Sequence, residues 1–174
     1  LAYIVDGTDS FCHVVTYNTS TLAYNDITNA VTDQKFTYNE KYPPQIFVFN
    51  EMLIVNPAND APPQYTDAGV TAGSLQELTN WSAIDDGTGS ALICRILRPF
   101  NNRLIAMNIF EEHAAGTGDD VNLPVDLIWS SVITSIGSLV NVEWQASSTN
   151  TAGDAFMTQS PGKILDGLQL GPYF

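Results

Sequence analysis

Carboxylates are the most numerous ionisable side chains in this sequence, 19 of them. Three adjacent pairs stand out: Asp85-Asp86, Glu111-Glu112 and Asp119-Asp120. Glycoside hydrolysis needs two carboxyl groups about 5–10 Å apart, one on each side of the scissile bond. Neighbouring residues of a strand point to opposite faces. None of these pairs therefore makes an obvious catalytic couple, and solvated loop charge accounts for them. DGTDS, NPAND and GTGDD offer hard oxygen atoms of the kind Ca2+ takes. None has the D-x-[DN]-x-[DN]-G spacing followed by Glu, and turn chemistry explains Asp-Gly and Asn-rich stretches. No metal and no cofactor are expected.

The remaining chemical groups are sparse. His13 falls in a strand-like run and His113 in an acidic loop. Neither has a second His or Cys at zinc-ligand spacing, and no G-x-S-x-G nucleophile motif is present. A satisfied core imidazole is expected for His13 and a solvated one for His113. Cys12 and Cys94 each lie in an apolar run, which suits buried free thiols better than a disulfide. Arg95, Arg98 and Arg103 are half of the six basic residues. They suit a salt-bridge face towards an acidic neighbour, or a phosphate contact. With 19 acidic residues and a net charge of −13, a sequence-independent clamp on nucleic acid is not expected, because such clamps need dense basic charge. A like-charged passage, by contrast, lets a polyanion pass without holding it.

The elements that would position these groups are strands. Charged residues are only 14% of the 174-residue chain, and Asn, Thr, Ser and Gly are plentiful, a composition that suits an all-β, loop-rich protein. Ala2–Val5 and Phe11–Tyr17 predict a hairpin across DGTDS. Gln45–Phe49 and Met52–Val55 predict a second, turning at Asn50-Glu51. Ala91–Leu97 and Arg103–Ile109 predict a third, turning at FNN. Val125–Val132 reads as a strand carrying Trp129. GKILDGLQLGPYF reads as two short strands around Asp166-Gly167. Ser74–Trp81 is the one helical pattern, with Leu75 and Leu78 three apart and Ser74 as N-cap. No window has the length of a membrane-spanning helix. The chain opens LAYIVDG inside a strand pattern and closes LGPYF, so a segment of a longer polypeptide is expected.

One phrase occurs twice. FVFNEMLIVN and RPFNNRLIAMN share F-N-x-x-L-I, with Phe49 and Phe100 51 residues apart. Each is followed by a loop, a Pro, and a strand with an aromatic, Tyr65 or Trp129. A repeat near fifty residues made of antiparallel strands fits one four-stranded β-propeller blade. A lone blade exposes two apolar faces, and stacking neighbours covers both. Approximate units are 1–44 (partial), 45–95, 96–145 and 146–174 (partial). Phe49, Leu53, Phe100, Leu104 and Trp129 are the expected blade core.

The longer pattern adds R-x-x-R-P-F-N-N-R-L-I-A-M-N-I, then L-P-V-D-L-I-W-S-S, Trp144, Thr151-Ala152-Gly153-Asp154 and G-K-I-L-D-G-L. Together these resemble the β-propeller tail proteins of short-tailed bacteriophages. That group covers the tail nozzle or tail tubular protein B type and the packaged-DNA stabilisation or tail hub proteins. The resemblance spans nearly the whole chain. It departs at Ser131, where the family has Asp, and at Trp144, which lacks a Pro-rich approach. The resemblance implies a virion structural protein with no catalytic site, in a hexameric ring beneath the portal and adaptor. Viral DNA would pass through that ring without specific binding. Glu111, Glu112, Asp119 and Asp120 would sit on an exposed or channel-facing rim. The competing expectation is a carbohydrate-binding or glycoside-hydrolase-type propeller, with Tyr24, Tyr38 or Trp81 as sugar platforms.

Overall fold

A computed structural model describes residues 2–6, 10–28, 35–66, 73–81, 91–113, 119–134, 142–157 and 162–167. The described residues are all-β and contain no helix. Among the described residues, eleven strands form three antiparallel sheets. The first holds β1 (Ala2–Asp6), β2 (Cys12–Asn18) and β3 (Ala23–Asp26). The second holds β4 (Gln45–Phe49), β5 (Met52–Asn56), β6 (Gln64–Thr66) and β7 (Gln76–Glu77). The third holds β8 (Ala91–Phe100), β9 (Arg103–Glu112), β10 (Val121–Trp129) and β11 (Gly153–Phe156). Each is a meander in sequence order, and none closes on itself. The sheets span 45–77 and 91–156, so a unit boundary at 95/96 falls inside β8.

The repeated phrase has a structural counterpart. Asn50-Glu51 joins β4 to β5, and Asn101-Asn102 joins β8 to β9. All four residues have positive φ, at 46°, 67°, 43° and 60°. Two successive positive φ values define the tight turn whose twist matches a right-handed hairpin, and after Gly it is Asn that tolerates them best. The third strands repeat as well: Tyr65 stands opposite Ile54, and Trp129 opposite Ile105.

Facing repeats with the sequence. Leu53 and Val55 of β5 pack towards the first sheet, with Cys12, Val14, Ile27 and Phe36. Met52 and Ile54 point the other way, into the main core. In β9, Leu104 and Ala106 enter that same core from the third sheet, while Ile105 and Met107 lie on its far face with Phe100, Leu127 and Trp129. The Leu of each phrase thus faces the preceding sheet and the Ile faces onward.

Alternation breaks once in the third sheet. Asn108 has φ 56° and its Nδ2 donates to the Ile164 carbonyl at 3.0 Å. Opposite it, β10 shifts register between Leu123 and Leu127. Beyond this kink the faces invert, so Leu92, Cys94, Ile109 and Leu123 also turn to the main core. A bulge of this kind re-aims side chains while keeping the ladder.

Two expected elements differ. Ser74–Trp81 is not helical: Leu75 N–H donates to the Ile27 carbonyl, Leu78 N–H to that of Pro63, and Gln76–Glu77 pairs with β6. Leu75 and Leu78 are both buried, so the spacing reported burial while tertiary partners took the backbone. Of GKILDGLQLGPYF, residues 162–167 form no strand, and Ile164 N–H donates to the Pro124 carbonyl; residues 168–174 lie outside the described residues. β11 falls where the sequence pattern predicts no strand. Cys12 and Cys94 are buried and not joined in a disulfide, and burial pushes the Cys94 thiol far above the ordinary range. Among the described residues, no helix is long and apolar enough to cross a membrane.

Candidate functional site

The expected groups scatter over the molecule. Glu112, Asp119 and Asp120 are exposed, and Asp120 Oδ1 accepts from His113 N–H at 3.1 Å. Glu111 instead is half-buried on β9, 3.7 Å from His113 Nε2. The His113 side chain is only 8% exposed, against the solvated imidazole expected. Its neighbour Glu111 and the end of β9 draw it inward. His13 is held by Asp26, Nδ1 to Oδ2 at 2.5 Å. Asp85-Asp86 lies outside the described residues.

The arginines make contacts within the chain. Arg95 lies 4.4 Å from the Tyr42 ring centroid and 4.9 Å from that of Phe110. Its guanidinium donates to the carbonyls of Ala58 and Asn59 at 2.8 and 3.0 Å. Burial lowers its pKa, against nearby Tyr42, Asp60 and Glu112. Lys41 and Lys163 also approach the Tyr42 ring. Arg98 pairs with Asp166 at 2.8 Å and donates to Gln45 Oε1 at 2.9 Å. Arg103 is half-buried, and its Nε finds no acceptor among the described residues.

Of the expected core, Phe49 and Leu104 are buried, whereas Leu53, Phe100 and Trp129 are half-buried against their clusters. Tyr24 and Tyr38 are exposed. Trp81 is not a sugar platform. It is 1% exposed, donates Nε1–H to the Leu92 carbonyl and meets Trp144 edge-on at 4.7 Å. A large ring next to an apolar sheet face gains more from burial than from exposure.

The fold assembles one grouping that the adjacent pairs concealed. Asp126 on β10 and Asp154 on β11 belong to neighbouring strands. Asp154 stands opposite Ile128, two residues from Asp126. That diagonal places both carboxylates on one face, near enough for the charge of Asp154 to act on Asp126. They line a cleft of about 280 Å3 with Glu111, over an apolar floor of Leu92, Ile109, Leu123 and Ile128. Trp144, Gln145 and Ala146 close its side. Burial, then the charge of Asp154, raise the Asp126 pKa, opposed by the Leu127 N–H. Trp144 is 2% exposed and its Nε1 has no acceptor among the described residues. Asp126 and Asp154 are 28 residues apart, and only β10–β11 pairing joins them. The usable sequence signal was Gly153 before Asp154. The Trp129 indole lies against Gly153, with Nε1–H donated to the Thr151 carbonyl at 3.2 Å, and the next residue faces the cleft.

A wider bowl of about 640 Å3 adjoins the cleft and shares Gln145 and Ala146 with it. Its lining is mainly hydroxyl and amide, from Ser131, Ser147, Thr149, Asn150 and Thr151. Ser131 Oγ accepts from Glu143 N–H at 2.9 Å, which ties residues 143–145 to the end of β10 between the two depressions.

The chain matches no known family model and no curated protein.

Proposed function

We propose that this chain is part of a β-propeller in the tail of a short-tailed bacteriophage, a nozzle or hub component of the DNA-ejection channel. The observation that carries this reading is the repeated hairpin. F-N-x-x-L-I recurs with a turn of the same kind, an aromatic opposite the Ile, and the same facing in two successive four-stranded sheets. Sheets that present one face backward and the other onward stack as blades do, each covering its neighbour. The charge of −13 suits a lumen that repels DNA phosphates, and the exposed Glu112, Asp119 and Asp120 supply part of it. In this reading the protein is a structural component of the virion tail without catalytic activity, a ring of about six copies below the portal and adaptor.

The test is the mass of the full-length native assembly, by native mass spectrometry or light scattering, alone and with the portal–adaptor complex. A closed ring of six is the expected result. A chain that stays monomeric and unbound with the complex present refutes the tail reading.

A further inference from the structure

We infer that Lys41, Arg95 and Lys163, gathered on the Tyr42 ring, bind a dianionic phosphate group, either free phosphate or a small phosphomonoester. This goes beyond the tail reading and does not rest on it. The chain has six basic residues, and three of them meet at this ring. Arg95 Cζ lies 4.4 Å from the ring centroid, Lys41 Nζ 5.1 Å and Lys163 Nζ 5.5 Å. Like charges gathered this closely repel, and an anion among them removes the repulsion.

Each cation stands on backbone that is held in place. Asn39 Oδ1 accepts from the N–H groups of Lys41 and Tyr42 at 2.9 and 3.3 Å. Its Nδ2 donates to Asn59 Oδ1 at 3.0 Å, and the Asn59 carbonyl is one of the two that receive Arg95. Lys163 precedes Ile164, whose N–H donates to the Pro124 carbonyl and whose carbonyl accepts from Asn108. Three segments far apart in the sequence are thus fixed around one ring.

The donors left over point to a ligand. Both bonds of Arg95 leave from Nη1. Nε and Nη2 make none among the described residues, and neither is enclosed. These two donors lie parallel on one edge of the guanidinium, the fork that takes two oxygens of a phosphate or carboxylate. Lys41 and Lys163 are exposed, and among the described residues neither has a carboxylate partner. Arg98, by contrast, has Asp166. Asp60 and Glu112 lie near enough to act on Arg95. The Asp60 carboxylate is bonded to the N–H and Oγ of Thr37, and neither acid forms an ion pair with Arg95 among the described residues.

Charge selects among anions. A carboxylate brings one negative charge and a phosphomonoester nearly two at neutral pH, so three cations favour phosphate. A nucleic-acid backbone would run past the site onto a chain of net charge −13, with Asp60 and Glu112 at the border, and is repelled.

The experiment is phosphorus NMR and calorimetry with inorganic phosphate and glycerol 3-phosphate, with acetate and a short DNA duplex as comparisons. Saturation with a Kd on the order of 1 mM is expected. Glycerol 3-phosphate binding more tightly than inorganic phosphate identifies an organic phosphate as the ligand; equal affinity identifies the free ion. Glycerol 3-phosphate is expected to bind about tenfold more weakly at pH 5 than at pH 7, as it loses its second charge at a pKa near 6. Lys41→Gln and Lys163→Gln, both at exposed sites, are each expected to weaken binding about fivefold. Lys35→Gln removes the same charge over the Phe11 ring and is expected to leave binding unchanged. The inference is overturned if neither phosphate compound saturates, if acetate binds as tightly, if the duplex binds more tightly than the monoester, or if Lys41→Gln and Lys163→Gln both bind as Lys35→Gln does.

Discussion

Gly153→Ala is expected to destabilise the protein in its native background and to stabilise it once Trp129 is shortened. A Cβ at Gly153 falls 2.5 Å from Cζ2 and 2.8 Å from Cε2 of Trp129. Ordinary carbon contacts lie near 3.5–4.0 Å, so the indole must slide by roughly an ångström. Its Nε1 bond to Thr151 and its packing on the far face of the third sheet resist that. Overpacking of this kind costs about 1–3 kcal/mol. Gly153 has no left-handed φ, so alanine is otherwise compatible there. With Trp129→Leu the clash disappears, and the smaller unfolded-state entropy of alanine stabilises by about 0.4–1 kcal/mol. The coupling between the two sites is therefore at least about 1.5 kcal/mol. Urea unfolding of the four proteins, compared by midpoint at constant slope, measures it. An effect of Gly153→Ala of the same sign and size in both backgrounds refutes the steric reasoning.

The Leu of the repeated phrase is unequally buried. Leu104→Ala is expected to cost about 2–5 kcal/mol, and Leu53→Ala, at a half-buried site, clearly less; equal losses in urea unfolding would contradict the packing described. Glu51→Gly relieves a φ of 67° at the second turn position and is expected to raise stability by about 1 kcal/mol, read from the thermal midpoint. The two perturbed aspartates have opposite pH signatures. The Asp126 pKa is raised above 3.8, so its ionisation destabilises the fold as pH rises through the folded value; Asp126→Asn therefore gains on the parent over that window, by less than about 1 kcal/mol given solvent screening. For Asp26, burial is outweighed by bonds from Thr28 and His13, and its pKa is lowered. Its contribution is present above 3.8 and lost as pH falls through the folded value. Asp26→Asn thus loses most against the parent near neutral pH, and a flat difference between pH 3 and 7 would rule the linkage out.

Hairpins were the most legible part of the chain. β4–β5 and β8–β9 follow from runs of β-branched and aromatic residues and from Asn pairs that accept positive φ, both local properties. The 51-residue echo likewise reported a shared hairpin, because each sheet needs the same turn and the same two-faced strand. Leu75 and Leu78 show the limit of such reading. Their spacing gave burial correctly, but the choice between helix and strand went to the accepting carbonyls of Ile27 and Pro63 and to the edge of β6.

The candidate site lay almost wholly beyond the sequence. Its adjacent acidic pairs drew attention, yet Asp126 and Asp154 sit singly in runs of other residues. By itself the amino-acid order determined an acidic, all-β chain with a repeated hairpin, since composition and turn chemistry act over a few residues. Only the tertiary structure decided which carboxylates meet. That depended on the pairing of β10 with β11 and on the kink at Asn108, a contact between distant segments that no local preference encodes.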